Sequence, residues 1–294
     1  MDIYIPGSNA INILFYATII TVALAWHGAR VKVKAVQVPI WAIAALGTLL
    51  MAWQMRAVSP LSFIWFGVMA GAGYCLMRDV YTSIARTVLI FTGFALAIGV
   101  LPGFQNFILL DKVQISEGAV PYSLSLSLNK IGAGLIVFWV AFSDAERTTF
   151  RSTHIKQAVI PALITITIAL GLSNLTLIRF DFKISTYFVI FAVSNLLFTA
   201  VAEESFFRGL IQKPLAQYMG VYPAVLISAL LFGAAHYGMG RMDYIFVATV
   251  AGIGYAYIYT LTKSVGASIL THWVLNLVHF IFFTYPYVSM RPEQ

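Results

Sequence analysis

Charge is scarce in this chain. Only 10% of its 294 residues are Asp, Glu, Lys or Arg, where soluble domains carry about 25%. Sixty per cent are hydrophobic and the mean hydropathy is +0.86. A water-soluble body of this size could not hide so much apolar surface, so the composition predicts an integral membrane protein with no large soluble domain. A single cysteine, Cys75, excludes a disulfide framework and an all-cysteine metal site. It reads as a core residue, since no histidine shares its helix turn. No internal repeat, low-complexity tract or linker is present, which favours one membrane domain over several.

What is there is a succession of long apolar runs. A helix crosses a bilayer in about 20 mostly apolar residues. About ten such runs occur, near 9–26, 36–53, 60–77, 87–105, 131–143, 157–178, 185–204, 221–237, 243–262 and 266–285. The expected fold class is all-α, a polytopic transmembrane bundle of about 8–10 spanning helices. The first run is expected to be a retained helix, because no basic residue precedes it and Trp26-His27 stands where a small-residue cleavage site would be.

The net charge of +7 comes from basic residues in the short gaps between runs, where orientation signals belong. With the N-terminus outside, cytoplasmic gaps would hold Arg30, Lys32, Lys34, Arg78, Arg86, Arg147, Arg151, Lys156, Arg208, Lys213 and Lys263. The opposite side would hold Arg56, Lys112, Lys130, Arg179, Lys183, Arg241 and Arg291. That bias favours this orientation and gives no reason to expect nucleic acid as a partner. The longest stretch without a helical run is about 102–130, with Asp111, Lys112, Glu117 and Pro121. Such a loop either covers a functional site or serves as a surface connector.

An ionisable side chain inside a spanning helix costs about 2.5–3.5 kcal/mol on insertion scales, so such residues are functional candidates. Here they gather in the last third. Glu203, Glu204 and Arg208 close the seventh run, His236 closes the eighth, and His272, Asn276 and His279 lie in the tenth. Consecutive helical residues point about 100° apart, so the two carboxylates do not share a face. Glu204 and Arg208, at i and i+4, can form a salt bridge. That leaves Glu203 as a carboxylate whose desolvation suits it to act as general base; a snorkelling pair at the membrane edge is the competing account. His236 follows small residues that let another helix approach, and would otherwise be a helix-end histidine bonded to a carbonyl. His272 and Asn276 share a face and offer an imidazole N–H and an amide NH₂ as an oxyanion cradle, unless Asn276 is interhelical glue. His279 reads as a supporting or structural residue. The chain has no His-Glu-x-x-His or Gly-x-Ser-x-Gly motif, no Gly-x-Gly-Asp of aspartyl intramembrane proteases and no Gly-x-Ser-Gly of rhomboids.

These residues carry a family resemblance. Glu-Glu-x-x-x-Arg (Glu203, Glu204, Arg208), Phe-x-x-x-His (Phe232, His236) and His-x-x-x-Asn (His272, Asn276) are similar, in order and rough spacing, to motifs of the CAAX-protease and bacteriocin-processing family. Its members are glutamate-type intramembrane endopeptidases related to the enzyme that trims prenylated CAAX tails. The likeness covers about residues 185–285, with a weaker echo at 101–134. It implies accessory helices over 1–184, a catalytic core of four helices over 185–285 and a short tail, 286–294. It also implies that Glu203 and His236 activate a water, that His272 and Asn276 stabilise the oxyanion, and that Arg208 holds Glu204. The implied substrate is a lipidated or membrane-anchored protein or peptide in a multi-pass protein of the plasma or inner membrane, with membrane lipids as further partners. No cofactor is expected; the alternative is zinc on Glu203, His236 and His272, disfavoured because Asn276 suits an oxyanion better than a metal. Two other functions stay open: a catalytically silent scaffold or immunity protein of the same fold, and a proton-coupled transporter. One geometric difficulty is plain. In this topology His236 lies at the opposite end of its helix from Glu203 and His272, so the eighth helix must be short, tilted or re-entrant, with an elbow between Arg208 and Val221, or Glu203 must sit deeper.

Overall fold

The computed structural model describes residues 8–28, 30–33, 36–142, 146 and 152–289. Lys34, Arg147, Arg151 and Arg291, used above for orientation, and residues 290–294 of the tail lie outside the described residues. In chain order the elements are α1 (Ser8–His27), β1 (Arg30–Val33), β2 (Val36–Pro39), α2 (Ile40–Gln54), α3 (Pro60–Met77) and α4 (Thr82–Ala97). They continue with β3 (Phe107–Val113), β4 (Tyr122–Leu126), α5 (Leu128–Ala141) and α6 (Ser152–Thr176). The last four are α7 (Phe188–Met219), α8 (Val221–Ala234), α9 (Met242–Thr262) and α10 (Val265–Phe282). Among the described residues, seven helices are long and apolar enough to cross a membrane, and α2, α4 and α5 are shorter apolar helices. The chain is a multi-pass, all-α membrane protein; among the described residues its strands form two two-stranded sheets, β1–β2, which is antiparallel, and β3–β4.

The chain divides into two compact units. The first comprises residues 1–108 and 125–144 and is built from α1 to α5. Some of its polar side chains join helices: Thr21 and Thr48 share a hydroxyl hydrogen bond of 3.0 Å between α1 and α2, and Asn129 Nδ2 donates to the Leu96 carbonyl at 2.8 Å. With no water in hydrocarbon to satisfy them, such groups find partners on neighbouring helices.

The second unit comprises residues 109–124 and 145–294. It therefore begins well ahead of residue 185, taking in α6 and part of the 102–130 stretch. Helix α9 packs against α6, α8 and α10. Close approach is made possible by small residues. A Cβ added at Gly233 of α8 would run into the Thr249 hydroxyl of α9 and lie 2.8 Å from the Ile245 carbonyl oxygen.

Helix α7 differs most from the sequence reading. It does not close at Glu203–Arg208 but runs 32 residues to Met219, with π-helical turns at Asn195–Ala200 and Ser205–Gln212 around a four-residue α-helical turn, Val201–Glu204. π turns inside helices recur at functional sites, because each widens the helix and re-aims the side chains beside it. At about 1.5 Å per residue the helix exceeds a hydrocarbon core of about 30 Å, so the glutamates lie at mid-helix. No elbow interrupts 208–219. The chain turns at Gly220, where φ is 87°, a conformation open to glycine. Helix α8 is short, ending at Ala234, and His236 precedes a single 3₁₀ turn, Tyr237–Met239. The short α8 and the deeper Glu203 together remove the geometric difficulty.

Gly233→Ala is expected to destabilise the protein by about 1–3 kcal/mol through overpacking against α9. Gly238→Ala, where an added Cβ meets nothing within 4 Å, is expected to leave stability unchanged. Thermal unfolding of the detergent-solubilised variants checks both.

Candidate active site

The site is assembled around a buried ion pair. Glu204 and Arg208, one turn apart on α7, are both fully buried, with Arg208 Nε donating to Glu204 Oε2 at 2.8 Å. Isolated charges in so dry a place would be prohibitive, and the pair persists because most of its remaining hydrogen-bonding capacity is used, Arg208 Nη2 being the exception among the described residues. Arg208 Nη1 donates to Gln212 Oε1 at 3.2 Å and to Ser228 Oγ on α8 at 3.1 Å. Gln212 Nε2 then donates to the Ala256 carbonyl and the Thr260 hydroxyl of α9, at 2.9 and 3.0 Å. The second carboxylate oxygen of Glu204 lies 3.1 Å from Nδ1 of His272 on α10. One ion pair thereby joins three helices directly and reaches α9 through Gln212.

That contact fixes the chemistry of His272. The Glu204 carboxylate, already paired with a guanidinium, accepts, so Nδ1–H donates and Nε2 is the nitrogen left for other work. Packing holds the ring in place: it stacks on Tyr255, centroids 4.8 Å apart and planes 10° apart, and meets Phe232 edge-on at 5.8 Å. Phe232 orients the other histidine as well. Its carbonyl lies 2.8 Å from His236 Nδ1 and can only accept, so His236 also keeps Nε2 for other work. The two rings sit 4.9 Å apart.

Asn276, one turn beyond His272, donates through Nδ2 to Oδ1 of Asn195 at 3.1 Å. One N–H of that amide is thus engaged and one remains. Sequence reasoning missed Asn195, which opens the first π turn of α7. Its signal was a lone carboxamide in an apolar run. Gln212 and Ser228 were missed for a different reason: their role exists only because Arg208 needs partners.

Glu203, His236, His272 and Asn276 line one cavity of about 370 Å³, together with Asn195 and Tyr244. Glu203 is half-buried where Glu204 is wholly buried. The 102–130 stretch also reaches the cavity, whose wall includes Val120–Ser123 and Tyr285–Tyr287. These two segments are laced together: Val120 N–H donates to the Tyr287 carbonyl at 3.0 Å, Ser289 N–H to the Gly118 carbonyl at 2.8 Å, and Tyr285 N–H to Ser116 Oγ at 2.9 Å. Burial pushes the Tyr122 phenol up to about 12, against a smaller pull from its hydrogen bond with Tyr285, so it stays neutral at physiological pH. The stretch thus walls a polar cavity and is not a bare connector. His279 lines the same cavity, with Nε2 bound to the Thr284 carbonyl at 3.1 Å.

Residues 185–278 match the family described as Rce1-like, type II CAAX prenyl endopeptidase. The match covers about a third of the chain. It contains Glu203, Glu204, Arg208, Phe232, His236, His272 and Asn276, and also Asn195 and Tyr244, while α1 to α6 and the 102–130 stretch lie outside it. The Rce1-like match supports CAAX-type intramembrane endopeptidase activity in general terms. No curated protein and no solved structure matches the chain.

Among the described residues, no three His, Cys, Asp or Glu side chains are grouped as metal ligands. The carboxylate nearest His272 is Glu204, already committed to Arg208.

Arg208→Leu removes one partner of a buried pair and strands the Glu204 charge. The expected loss of stability is about 3–5 kcal/mol, and Glu204→Gln in the same chain is expected to restore part of it. Unfolding of the two single variants and the double variant measures the coupling.

Proposed function

We propose that the chain is an intramembrane endopeptidase that hydrolyses a peptide bond of a lipidated or membrane-anchored protein or peptide near the membrane surface. The observation that carries this reading is the cavity shared by Glu203, His236, His272 and Asn276, side chains from α7, from the segment just after α8 and from α10 that line one space large enough for water and a peptide group. A hydrolytic site needs a base, a way to aim the water and donors for the developing oxyanion. The Rce1-like segment supports the class, and the geometry supports the assignment of roles.

Glu203 takes a proton from the water. His236 aims the water by accepting its other hydrogen at Nε2, its ring held through Nδ1 by the Phe232 carbonyl. Asn276 faces the carbonyl oxygen with its remaining N–H, steadied by Asn195. His272 lies beside it, its ring held through Nδ1 by the Glu204 carboxylate, and donates from Nε2 once protonated. The hydroxide oxygen bonds to the carbonyl carbon, the carbonyl electron pair moves onto oxygen, and collapse expels the amine, which takes the proton from Glu203. No cofactor is invoked. The partners are membrane lipids and the substrate, with the plasma or inner membrane as the location.

The roles of the two glutamates differ and can be separated. Glu203→Ala and His236→Ala are each expected to abolish cleavage with the protein still folded. Glu204→Ala is expected to cost less activity and more stability, because its carboxylate supports Arg208 and His272. Cleavage assays of purified protein in proteoliposomes, alongside unfolding midpoints, check this. Equal, intact cleavage by all three variants overturns the assignment.

A further inference from the structure

The hydrogen-bonding inventory of the cavity is lopsided. As neutral rings, His236 and His272 each have Nδ1 engaged, so each has only an acceptor nitrogen to offer. Glu203, as a carboxylate, is a third acceptor. Asn276 has one N–H left after Asn195 takes the other. Three acceptors suit a water, which has two hydrogens to place. A tetrahedral oxyanion needs donors, and a single amide N–H falls short of the pair or more that oxyanion holes supply. His272 joins it only after gaining a proton.

A neutral donor is present in the wall. Tyr244 lies near the start of α9, and its ring packs against that of His236 with centroids 5.7 Å apart. On its other side it meets Tyr287, at 6.2 Å. Its backbone N–H is held by the Asp243 carboxylate at 3.0 Å. The hydroxyl forms no hydrogen bond with any described residue, whereas the Tyr122 and Tyr285 hydroxyls at the same cavity bond to each other. Tyr244 lines the main cavity and also a neighbouring pocket of about 70 Å³, and both are bounded by His236, His272 and Asn276. It therefore stands in the wall where the reacting groups meet, held by ring contacts on two sides with its polar end uncommitted. An uncommitted hydroxyl beside a cavity of acceptors is a donor waiting for an acceptor of its own.

We propose that the Tyr244 hydroxyl donates a hydrogen bond to the oxyanion of the tetrahedral intermediate, as a second donor beside Asn276. The inference rests on the proteolytic reading above and adds a catalytic residue to it. The bonds made and broken are those of the hydrolysis already described. Tyr244 gives up no proton; it shares one with the oxygen while that oxygen carries charge, and it strengthens as charge develops, which lowers the barrier and not the substrate's dissociation constant.

The test is Tyr244→Phe, which keeps both ring contacts and removes one oxygen. The probe is a fluorogenic peptide with a farnesylated CAAX tail, assayed with the full chain in proteoliposomes beside wild type, Glu203→Ala and Tyr257→Phe, an exposed tyrosine on the same helix. Loss of one oxyanion donor is expected to lower kcat by about 10²- to 10³-fold with KM within about threefold. The unfolding midpoint is expected to stay at the wild-type value and Tyr257→Phe to cleave normally. Wild type cleaving the probe with Tyr244→Phe within about threefold of it in kcat overturns this inference and leaves the proteolytic reading standing. A fall confined to KM overturns it too, since that marks a substrate-packing role. Wild type cleaving no faster than Glu203→Ala overturns the proteolytic reading, and the inference with it.

Discussion

The second unit depends on one carboxylate and one guanidinium removed from water together. Neither Glu204 nor Arg208 has any exposed surface, and each is tolerable only while the other is present. Once α7 carries that pair into the interior, its remaining donors and acceptors demand partners. They recruit Ser228 from α8, Ala256 and Thr260 from α9 through Gln212, and His272 from α10. Apolar packing between helices in lipid is weakly directional, because lipid tails are as apolar as leucine. Hydrogen bonds to a buried charge are directional. The ion pair therefore does more to set the relative rotation of these helices than the phenylalanines and alanines around it.

The same pair gives the two neighbouring glutamates different lives. Glu204 is consumed by structure and Glu203 is left facing a polar space. The π turns on either side of Val201–Glu204 matter here, since a widened helix shifts the angular relation between residues that an ideal 3.6-residue turn would fix. They let α7 turn Glu204 toward Arg208 and His272 while Glu203 and Asn195 meet the cavity. The cavity is walled by chain segments remote from the motifs: Val120–Ser123 and Tyr285–Tyr287, tied to each other by backbone hydrogen bonds. A polar cavity in a membrane protein requires such cover, because irregular backbone is tolerated at depth only where it is enclosed in protein or lines water.

Much of the fold was legible. Apolar runs at 60–77 and 243–262 match α3 and α9 to within a residue, because an uninterrupted run ends where lipid ends. The rule failed where a charge lay inside the bundle. The run at 185–204 was cut at Glu203 because an apolar count cannot distinguish a charge at the membrane edge from one neutralised in the interior, and so α7 came out half its length. The run at 87–105 was placed too late, because α4 starts at Thr82 and ends at Ala97, ahead of Gly99, where φ is 75°. At the site, the motif residues and the local Glu204–Arg208 spacing were visible. Asn195 and Tyr244 were not, since one carboxamide in an apolar run and one tyrosine among 15 carry no periodic or motif signal, whereas the 102–130 stretch stood out by its length but left cover and connector both open.

By itself the sequence determined what is decided within a few residues of the chain. That covers helices long and apolar enough for a bilayer, an acid and a base one helical turn apart, and a run of short motifs in a recognisable order. Only the tertiary structure decided which nitrogen of each histidine is engaged, which glutamate is buried, which amide steadies Asn276 and which tyrosine stands in the wall of the cavity. The division has a physical cause. Helix formation and i, i+4 pairing are local and repeat with the helical period, so they leave a pattern in one dimension. Hydrogen bonds such as those joining residues 204 and 272 or 195 and 276 depend on how helices rotate against one another. That rotation is set by satisfying buried polar groups across the bundle, a condition no single stretch of sequence contains.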